Sequence, residues 1–408
     1  MHHDDPPAGE LDARVRAVVL EEPAACAPPE SCYRGIEASN RRRRGHALIL
    51  KTAGSAGHLT GRIMAWLDRL AEIEELDGAQ FDPALIADFE CAAASTATRE
   101  IRFSTPTFKS YSSCELNGCG KNSFPAFSVT AGACALQCDH CQARILEPML
   151  PATSPEMLEH KVRQLVASDA LQGFLLSGGS TRRNEIRYER FYPVIERLKR
   201  DFPQLKIAIH CALLDEPRAR RMAAAGVDTA MMDVIGSEET IREVYHLERP
   251  VADFEATLAA LCATGMEVVP HIVIGLHYGR ILGEPHALDI VSRHRIHSLV
   301  LVVVMPFYAK PGTFSTPDPA DVGRVFLDAR RRVPDREVLL GCARPPGMHR
   351  RVTDAYAVLA GLDGIAFPAD GTVAVAQAIG RPALQAHACC SVKTGYTIKL
   401  HSRALVAA

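Results

Sequence analysis

Short apolar runs alternate with amphipathic stretches along most of this 408-residue chain. Eight runs are rich in β-forming residues, and several are apolar nearly throughout, as strands buried on both faces are. They lie at 127–130, 173–177, 206–210, 229–234, 267–274, 298–305, 337–340 and 364–367. Stretches with helical periodicity lie between them, at 155–168, 188–201, 216–225, 253–264 and 320–332. Eight strands, each followed by a helical segment, predict an α/β fold of the (β/α)8 TIM-barrel type, with chemistry at the carboxyl ends of the strands.

Three segments differ in character and predict the domain organisation. Residues 1–105 form a mainly helical N-terminal extension, with helical periodicity at 10–22 and 59–76. Residues 106–370 form the barrel, and residues 371–408 form a C-terminal tail that carries an adjacent pair of cysteines. The arginine run at 41–44 is either a solvated surface or a contact for an anionic partner.

Composition narrows the class of protein. The formal net charge of -2 argues against a nucleic-acid binder that relies on bulk electrostatics. No apolar run approaches the roughly 18 residues of a membrane span, and the N-terminus is acidic and polar, unlike a signal or transit peptide. We therefore expect a cytoplasmic protein without a membrane partner. Thirteen cysteines in a reducing compartment indicate metal ligands or catalytic groups more than disulfides.

The clearest motif is a C-x3-C-x2-C triad, Cys134, Cys138 and Cys141, directly after the first predicted barrel strand. Thiolates are the usual ligands of iron–sulfur clusters. Three of them on one loop can hold three irons of a [4Fe–4S] cube and leave the fourth iron open. A zinc site would need a fourth ligand, and His140 is awkwardly placed because it adjoins Cys141. Zinc or plain structural cysteines remain the alternatives.

A triad with this spacing, after the first strand of a β/α barrel, resembles the radical S-adenosylmethionine (SAM) superfamily. The resemblance implies that Cys134, Cys138 and Cys141 hold a catalytic [4Fe–4S] cluster whose open iron binds SAM. It also implies a 5′-deoxyadenosyl radical, formed with an electron from a donor such as ferredoxin or flavodoxin. His140 supplies the ring that usually precedes the last cysteine. The resemblance covers about residues 125 to 370 and leaves out residues 1–105.

Later strands match the biotin-synthase-like branch of that superfamily. The sequence LLSGGS resembles its glycine-rich motif, although Ser180 stands where an acidic residue is usual. Glycines suit such a motif because they let the backbone approach a ligand closely. The cofactor-binding residues that the resemblance implies are Ser177, Gly178, Gly179, Ser180, His210, Asp233, Gly275 and Arg344. His271 and His277 either share this binding role or are ordinary histidines of the core or the rim without a function.

Further cysteines decide what the radical is used for. Cys114 and Cys119 form a C-x4-C pair before the first barrel strand, which cannot complete a cluster by itself. The candidate ligands of a second, auxiliary iron–sulfur cluster are Cys114, Cys119, Cys342, Cys389 and Cys390, with Cys211 and the pair Cys26 and Cys32 as further partners. Cys389 and Cys390 are adjacent, so one of them ligates more readily than both. A loop pair without metal is the alternative.

In biotin and lipoyl synthases an auxiliary cluster donates sulfur, and this chain resembles one component of the paired lipoyl synthases of archaea and some bacteria. That resemblance implies sulfur insertion into a protein-bound octanoyl chain, with an octanoylated lipoyl carrier protein and a second radical enzyme as partners. One alternative is a biotin-synthase-like or other radical mutase or lyase without sulfur insertion. Another is a non-enzymatic metal or scaffold protein.

Overall fold

The structure is a computed structural model that describes residues 60–93, 99–106, 111–116, 122–167, 171–393 and 397–400. Several predictions fall on other residues and lie outside the described part of the chain. They are the helix at 10–22, the arginine run at 41–44, and the cysteines Cys26, Cys32 and Cys119. No helix among the described residues combines the length and the apolar character needed to cross a membrane.

The described strands form one sheet. They are β1 (Ile101–Ser104), β2 (Ala126–Ser128), β3 (Leu150–Pro151), β4 (Gly173–Ser177), β5 (Lys206–His210), β6 (Thr229–Asp233), β7 (Glu267–Ile274), β8 (Ser298–Val303), β9 (Glu337–Leu340), β10 (Gly364–Ala366), β11 (Ala383–Ala386) and β12 (Ile398–Leu400). Their spatial order is β12-β11-β1-β10-β9-β8-β7-β6-β5-β4-β2-β3. Neighbours are parallel, except that β11 and β12 are antiparallel. Parallel neighbours require crossovers, and the helices supply them.

The helices lie mainly between successive strands. They are α1 (Thr60–Ala71), α2 (Pro83–Ala93), α3 (Pro155–Val166), α4 (Tyr192–Asp201), α5 (Glu216–Ala224), α6 (Glu238–Val244), α7 (Val251–Cys262), α8 (Glu284–Ser292), α9 (Pro319–Arg332), α10 (Met348–Leu359) and α11 (Thr372–Ala378). Capping side chains explain several starts, because Ser154, Asp215 and Ser237 accept backbone N–H groups of the first turns of α3, α5 and α6. Each cap satisfies a donor that the helix itself leaves unpaired.

All eight predicted barrel strands are present, as β2 and β4 to β10, and they lie side by side in chain order. The (β/α) barrel class is therefore confirmed. The ring of eight is not closed as in a complete TIM barrel, however, because β10 pairs with β1 rather than with β2. Phe103 of β1 lies opposite Ile365, and β11 pairs with the other edge of β1. The sheet is a curled, open barrel.

The strands extend beyond the predicted barrel segment. β1 precedes residue 106, while β11 and β12 follow residue 370, and all belong to the same sheet. Helix α2 also packs on the barrel helices, since the backbone N–H of Asp82 donates to the Tyr356 hydroxyl at 2.8 Å. The domain boundaries at 105 and 370 stay a prediction.

A small apolar cluster, separate from the main core, packs across the strands of the curled sheet. It takes side chains from successive strands and both flanks, namely Phe124, Ala208, Met231, Val269, Val300, Leu339, Ala388 and Val392. Beside it the Ser123 hydroxyl donates to the carbonyl of His387, which joins the chain before β2 to the chain after β11. Open space within the curled sheet lies at the carboxyl ends of the strands.

Candidate functional site

A cavity of about 300 Å³ lies at the carboxyl ends of the strands. It is lined by most of the predicted site residues: Cys134, Cys138, Cys141, Ser177, Gly178, Gly179, Ser180, His210, Asp233, Cys342, Cys389 and Cys390. A larger groove of about 610 Å³ lies on the outside, beside α5 and α7, and holds none of them. The convergence of these chemically reactive side chains makes the smaller cavity the candidate site.

The triad lies on a tightly wound loop after β2. Gln137, Gln142 and Ala143 have positive φ angles of 49°, 47° and 59°, which residues with a side chain rarely adopt. The loop holds this shape through its own amides. Gln137 Nε2 donates to the carbonyl of Cys134 at 2.8 Å, and Gln142 Nε2 donates to that of Cys138 at 3.0 Å. Such over-determined backbone strain is typical of a functional loop.

The sulfur atoms of the triad are not grouped as tightly as the ligands of a single zinc ion. Ligands of one tetrahedral zinc, at about 2.3 Å from the metal, would place their sulfurs about 3.8 Å apart. Among the described residues, a group of three ligand atoms all within 4.8 Å of one another occurs at Glu239, Glu243 and His277, not at the cysteine loop. Burial raises the pKa of the Cys141 thiol to about 11 and that of Cys138 further. A positively charged metal centre would oppose this rise in pKa, because it favours the thiolate form of each cysteine.

The glycine-rich segment after β4 lies directly against the cysteine loop. The backbone N–H of Ala135 donates to the Ser180 carbonyl at 2.9 Å, and the N–H of Gly179 donates to Thr130 Oγ1 at 2.7 Å. A Cβ at Gly179 would lie 2.0 Å from the carbonyl oxygen of Ala133, so no other residue fits there without movement. Close approach of two backbones is therefore the reason for glycine at this position.

Opposite the cysteines, a carboxylate is held between histidines. Asp233 Oδ1 lies 3.6 Å from His210 Nε2, and the rings of His210 and His271 are 5.4 Å apart. Burial alone would raise the pKa of Asp233, but His210 and then His271 and His140 lower it to about 2. Burial lowers the pKa of His271 to about 4. The group presents a carboxylate to the cavity, where a hydroxyl or an ammonium group of a ligand can pair with it.

The residues that support the cysteine loop through contacts with the end of α6 were not predicted from the sequence. Tyr245, just after α6, stacks on His140 with ring centroids 4.9 Å apart. Asp139 donates its backbone N–H to the Val244 carbonyl at 2.9 Å, and its Oδ1 lies 3.1 Å from His246 Nε2. These contacts join positions more than a hundred residues apart, and no local pattern in the sequence announces them. They seat the cysteine loop on the end of α6.

A second set of cysteines lies in the same cavity. Cys342 follows β9, while Cys389 and Cys390 follow β11, and all three belong to the lining. Cys390 packs with Ala366 and Phe367, and Cys342, Cys389 and Tyr111 pack against that group. A hydrogen bond from Cys390 lowers the pKa of the Cys389 thiol and favours its thiolate form. The structure therefore gathers three of the five predicted auxiliary ligands on one side of the cavity.

The remaining two candidate ligands are placed differently. Cys114 is not among the lining residues and contacts the start of α11, where its N–H donates to Asp370 Oδ1 at 3.2 Å. Burial raises its pKa to about 12. Cys119 lies outside the described residues. Tyr111, three residues before Cys114, lies near the second cysteine set, with its ring centroid 5.5 Å from that of Phe367.

Two of the expected cofactor ligands take structural places instead. Arg344 is buried and uses all five N–H donors within the protein: on both oxygens of Asp354 and on the carbonyls of Gly341, Ala366 and Phe367. It has no donor left for a cofactor, so this expectation is wrong. Gly275, with φ of +78°, is outside the cavity lining and packs against Pro317, while its N–H donates to Glu284. Its glycine serves the turn after β7.

Comparison with known proteins agrees with this geometry. Residues 128–280 match the family described as the Radical SAM superfamily. The matched segment includes the cysteine loop and the strands β4 to β7. No curated protein matches the sequence.

Among solved structures, the [FeFe]-hydrogenase maturase HydG is similar at 11% identity, covering 81% of this chain and 78% of that one with a TM-score of 0.52. HydG from Carboxydothermus hydrogenoformans is 16% identical, with coverage of 76% and 70% and a TM-score of 0.48. Methylornithine synthase (PylB) is 12% identical, with coverage of 74% and 85% and a TM-score of 0.47. At these identities the likeness concerns the fold alone.

The superfamily uses a [4Fe–4S] cluster and SAM, and the residues present fit both. Cys134, Cys138 and Cys141 offer three thiolates on one loop at the cavity, as a cube with one open iron requires. The backbone of Ser177–Ser180, bare of Cβ at Gly179, offers polar groups beside that loop. His210 and Asp233 complete the polar wall. Enzymes of the superfamily need an electron donor.

Proposed function

We propose that this chain is a radical SAM enzyme that inserts sulfur into an unactivated C–H bond. The observation that carries the proposal is the shared cavity. Cys134, Cys138 and Cys141 line one side, and Cys342 and the pair 389–390 line another. A carbon radical must be captured before it is quenched, so the hydrogen-abstracting group and the sulfur donor have to face the same enclosed substrate.

The apolar part of the cavity lining suits an aliphatic substrate. It is formed by Leu175, Met231, Val273, Val302, Val304 and Met305, all apolar. Such a wall excludes water and holds an alkyl chain without directing it by hydrogen bonds. Ile145, which lines the cavity, is 45% exposed and provides an apolar surface at its entrance. An acyl chain can pass such an entrance while its carrier stays outside.

Each group of residues has a distinct task in this proposal. When bound, the first cluster with SAM supplies a radical that removes hydrogen from carbon, and a second cluster supplies the sulfur that takes its place. The chain binds the first group through the triad and orients SAM with the backbone of Ser177–Ser180. The carboxylate of Asp233, which lies beside His210 in the cavity, would hold a polar group of SAM. Cys342 with Cys389 or Cys390 would hold the sulfur donor. Cys114, which does not line the cavity, and Cys119 stay candidates for its further ligands.

The substrate that best suits this cavity is a protein-bound octanoyl chain, which makes the reaction one of lipoyl synthesis. An octanoyl chain is fully aliphatic where sulfur must enter, and it reaches a buried cavity from a carrier docked at the mouth. If this chain is one component of a pair of lipoyl synthases, a second radical enzyme would insert the other of the two sulfur atoms. A ferredoxin or flavodoxin would supply the electron.

The test is anaerobic incubation of the reconstituted enzyme with SAM, a reductant and octanoylated carrier protein, followed by intact-mass measurement of the carrier. We expect a mass gain of sulfur together with release of 5′-deoxyadenosine. The variant C389A/C390A should still release 5′-deoxyadenosine but leave the carrier unsulfurated. The matched control is Cys91→Ala, since Cys91 is exposed on α2, away from the cavity, and should behave as wild type.

Three outcomes would contradict the proposal. Sulfurated carrier from C389A/C390A at the wild-type rate would remove the donor role of the second set. Unchanged product from C114A/C119A would exclude that pair from sulfur donation. 5′-Deoxyadenosine release with a rearranged or cleaved, sulfur-free product would favour the mutase or lyase alternative.

A further inference from the structure

A second group of potential metal ligands lies away from the cysteines, where α6 meets the turn after β7. Glu239 and Glu243 are one turn apart on α6 and so share a helix face. His277 follows β7, is only 1% exposed, and its Nε2 atom makes no hydrogen bond with any residue that the structure describes. That atom faces both carboxylates, 3.4 Å from Oε1 of Glu239 and 4.0 Å from Oε2 of Glu243. One ligand atom from each residue lies within 4.8 Å of the other two.

We propose that Glu239, Glu243 and His277 bind a divalent transition-metal ion of the zinc type. With metal–ligand distances of about 2.1 Å, tetrahedral ligand atoms lie about 3.4 Å apart. The pair formed by His277 and Glu239 already has that separation. Glu243 Oε2 lies 4.0 Å from Nε2, about 0.6 Å more than that separation, and its half-exposed side chain at a helix end can move closer. Two carboxylates neutralise the ion, and a water molecule completes the coordination.

The surroundings of His277 favour a metal ligand over a simple ion pair. Its Nδ1 atom lies 3.2 Å from the hydroxyl of Thr240, which is itself buried on α6. With the proton on Nδ1 donated to Thr240, the lone pair of Nε2 points at the carboxylates, and lone pairs facing anions repel unless a cation lies between. Metal-ligating histidines are oriented in this way by a partner on the other ring nitrogen. The competing contact is Arg242, which donates to Glu243 Oε1 at 3.4 Å from an exposed position.

An ion here would stabilise the support of the cysteine loop. Tyr278, the neighbour of His277, donates its hydroxyl to the carbonyl of Glu243 at 3.1 Å and lies 3.4 Å from Asp139 Oδ2. The next carbonyl along α6, that of Val244, accepts the N–H of Asp139. Metal binding would therefore fix the end of α6 to the turn after β7, and both contact Asp139 between two cysteines of the triad. The site is separate from the cavity.

The experiment uses full-length protein with its clusters assembled, so that the thiolates are occupied. After passage over a chelating resin under anaerobic conditions, the protein is titrated with Zn²⁺, and zinc and iron are counted per chain. We expect wild type to bind one zinc with iron unchanged and to melt at a higher temperature with zinc than without. The variant E239Q/E243Q should lose this zinc and the shift in melting temperature. Glu248→Gln, an exposed glutamate just beyond the group, is the matched control.

A second variant tests the geometry without touching a ligand. Thr240→Val keeps the shape and removes the hydroxyl, so zinc affinity should fall about 10- to 100-fold, as when outer partners of metal ligands are lost. The proposal is overturned if E239Q/E243Q binds zinc as wild type does. It is also overturned if wild type binds none, or if zinc uptake merely displaces iron from the cysteines.

Discussion

The contact between the glycine-rich segment and the cysteine loop makes a sharp prediction for Gly179→Ala. The added methyl would lie 2.0 Å from the Ala133 carbonyl oxygen and 2.6 Å from Cys134 Cα, whereas real Cβ atoms essentially never come within 3.0 Å. The obstacles are backbone, so the two segments must separate by about 1 Å, the difference between 3.0 and 2.0 Å. Overpacking of this kind costs roughly 1–3 kcal/mol of folding free energy.

The larger effect should be on function, because a displacement of about 1 Å in a positioned group can cost on the order of 10²-fold in rate. The assay is 5′-deoxyadenosine release per reconstituted chain, with iron content and denaturant unfolding measured alongside. Gly132→Ala is the matched control, because Gly132 lies in the same loop and a Cβ there meets nothing within 4 Å. Wild-type release from Gly179→Ala, or an equal loss in Gly132→Ala, would refute the role assigned to this contact.

Other predictions follow from buried groups around the cavity. Arg344→Ala should lower the free energy of unfolding by about 3–5 kcal/mol, because it strands the buried Asp354 carboxylate; unchanged stability with weaker SAM binding would restore the cofactor role. Burial raises the pKa of Glu115 from 4.5 to about 7, so the folded state keeps a proton that the unfolded state releases. The free energy of unfolding should therefore fall between pH 4.5 and pH 7, by at most about 3 kcal/mol. Glu115→Gln should abolish that part of the pH dependence, and an identical pH profile would contradict it. Tyr245→Ala removes the ring stacked on His140 and should lower iron retention. Tyr245→Phe should not, since the hydroxyl makes no hydrogen bond within the described part of the chain; equal retention in both variants would argue against the stack.

The barrel strands were predictable because each is a local apolar run with β-forming residues, and burial on both faces leaves a clear pattern. β1 and β11 were not predicted. The strand at Ala383–Ala386 is built of alanine, leucine and glutamine, which do not indicate a strand by themselves. In a closed barrel β2 would pair with β10, but here β1 pairs with β10 instead. The other edge of β1 is then available, and β11 pairs with it. Pairing between segments nearly 300 residues apart leaves no local trace.

The candidate site was likewise predictable where its residues are close in sequence and not where they are far apart. Spacing in the sequence singles out Cys134, Cys138 and Cys141 because all three act from one loop. Cys342 and Cys389 line the same cavity because of where β9 and β11 lie in the sheet, which spacing in the sequence does not reveal. Arg344 follows a strand as a ligand would, and only the buried Asp354 beside it reveals its structural role.

The most direct test of the account is release of 5′-deoxyadenosine by the anaerobically reconstituted chain, incubated with SAM and dithionite. The account predicts release by wild type and none above background when Cys138 is replaced by Ala, with the Cys91→Ala control at the wild-type level. Release that persists without Cys138, or a folded wild-type protein that holds iron and yet cleaves no SAM, would contradict it.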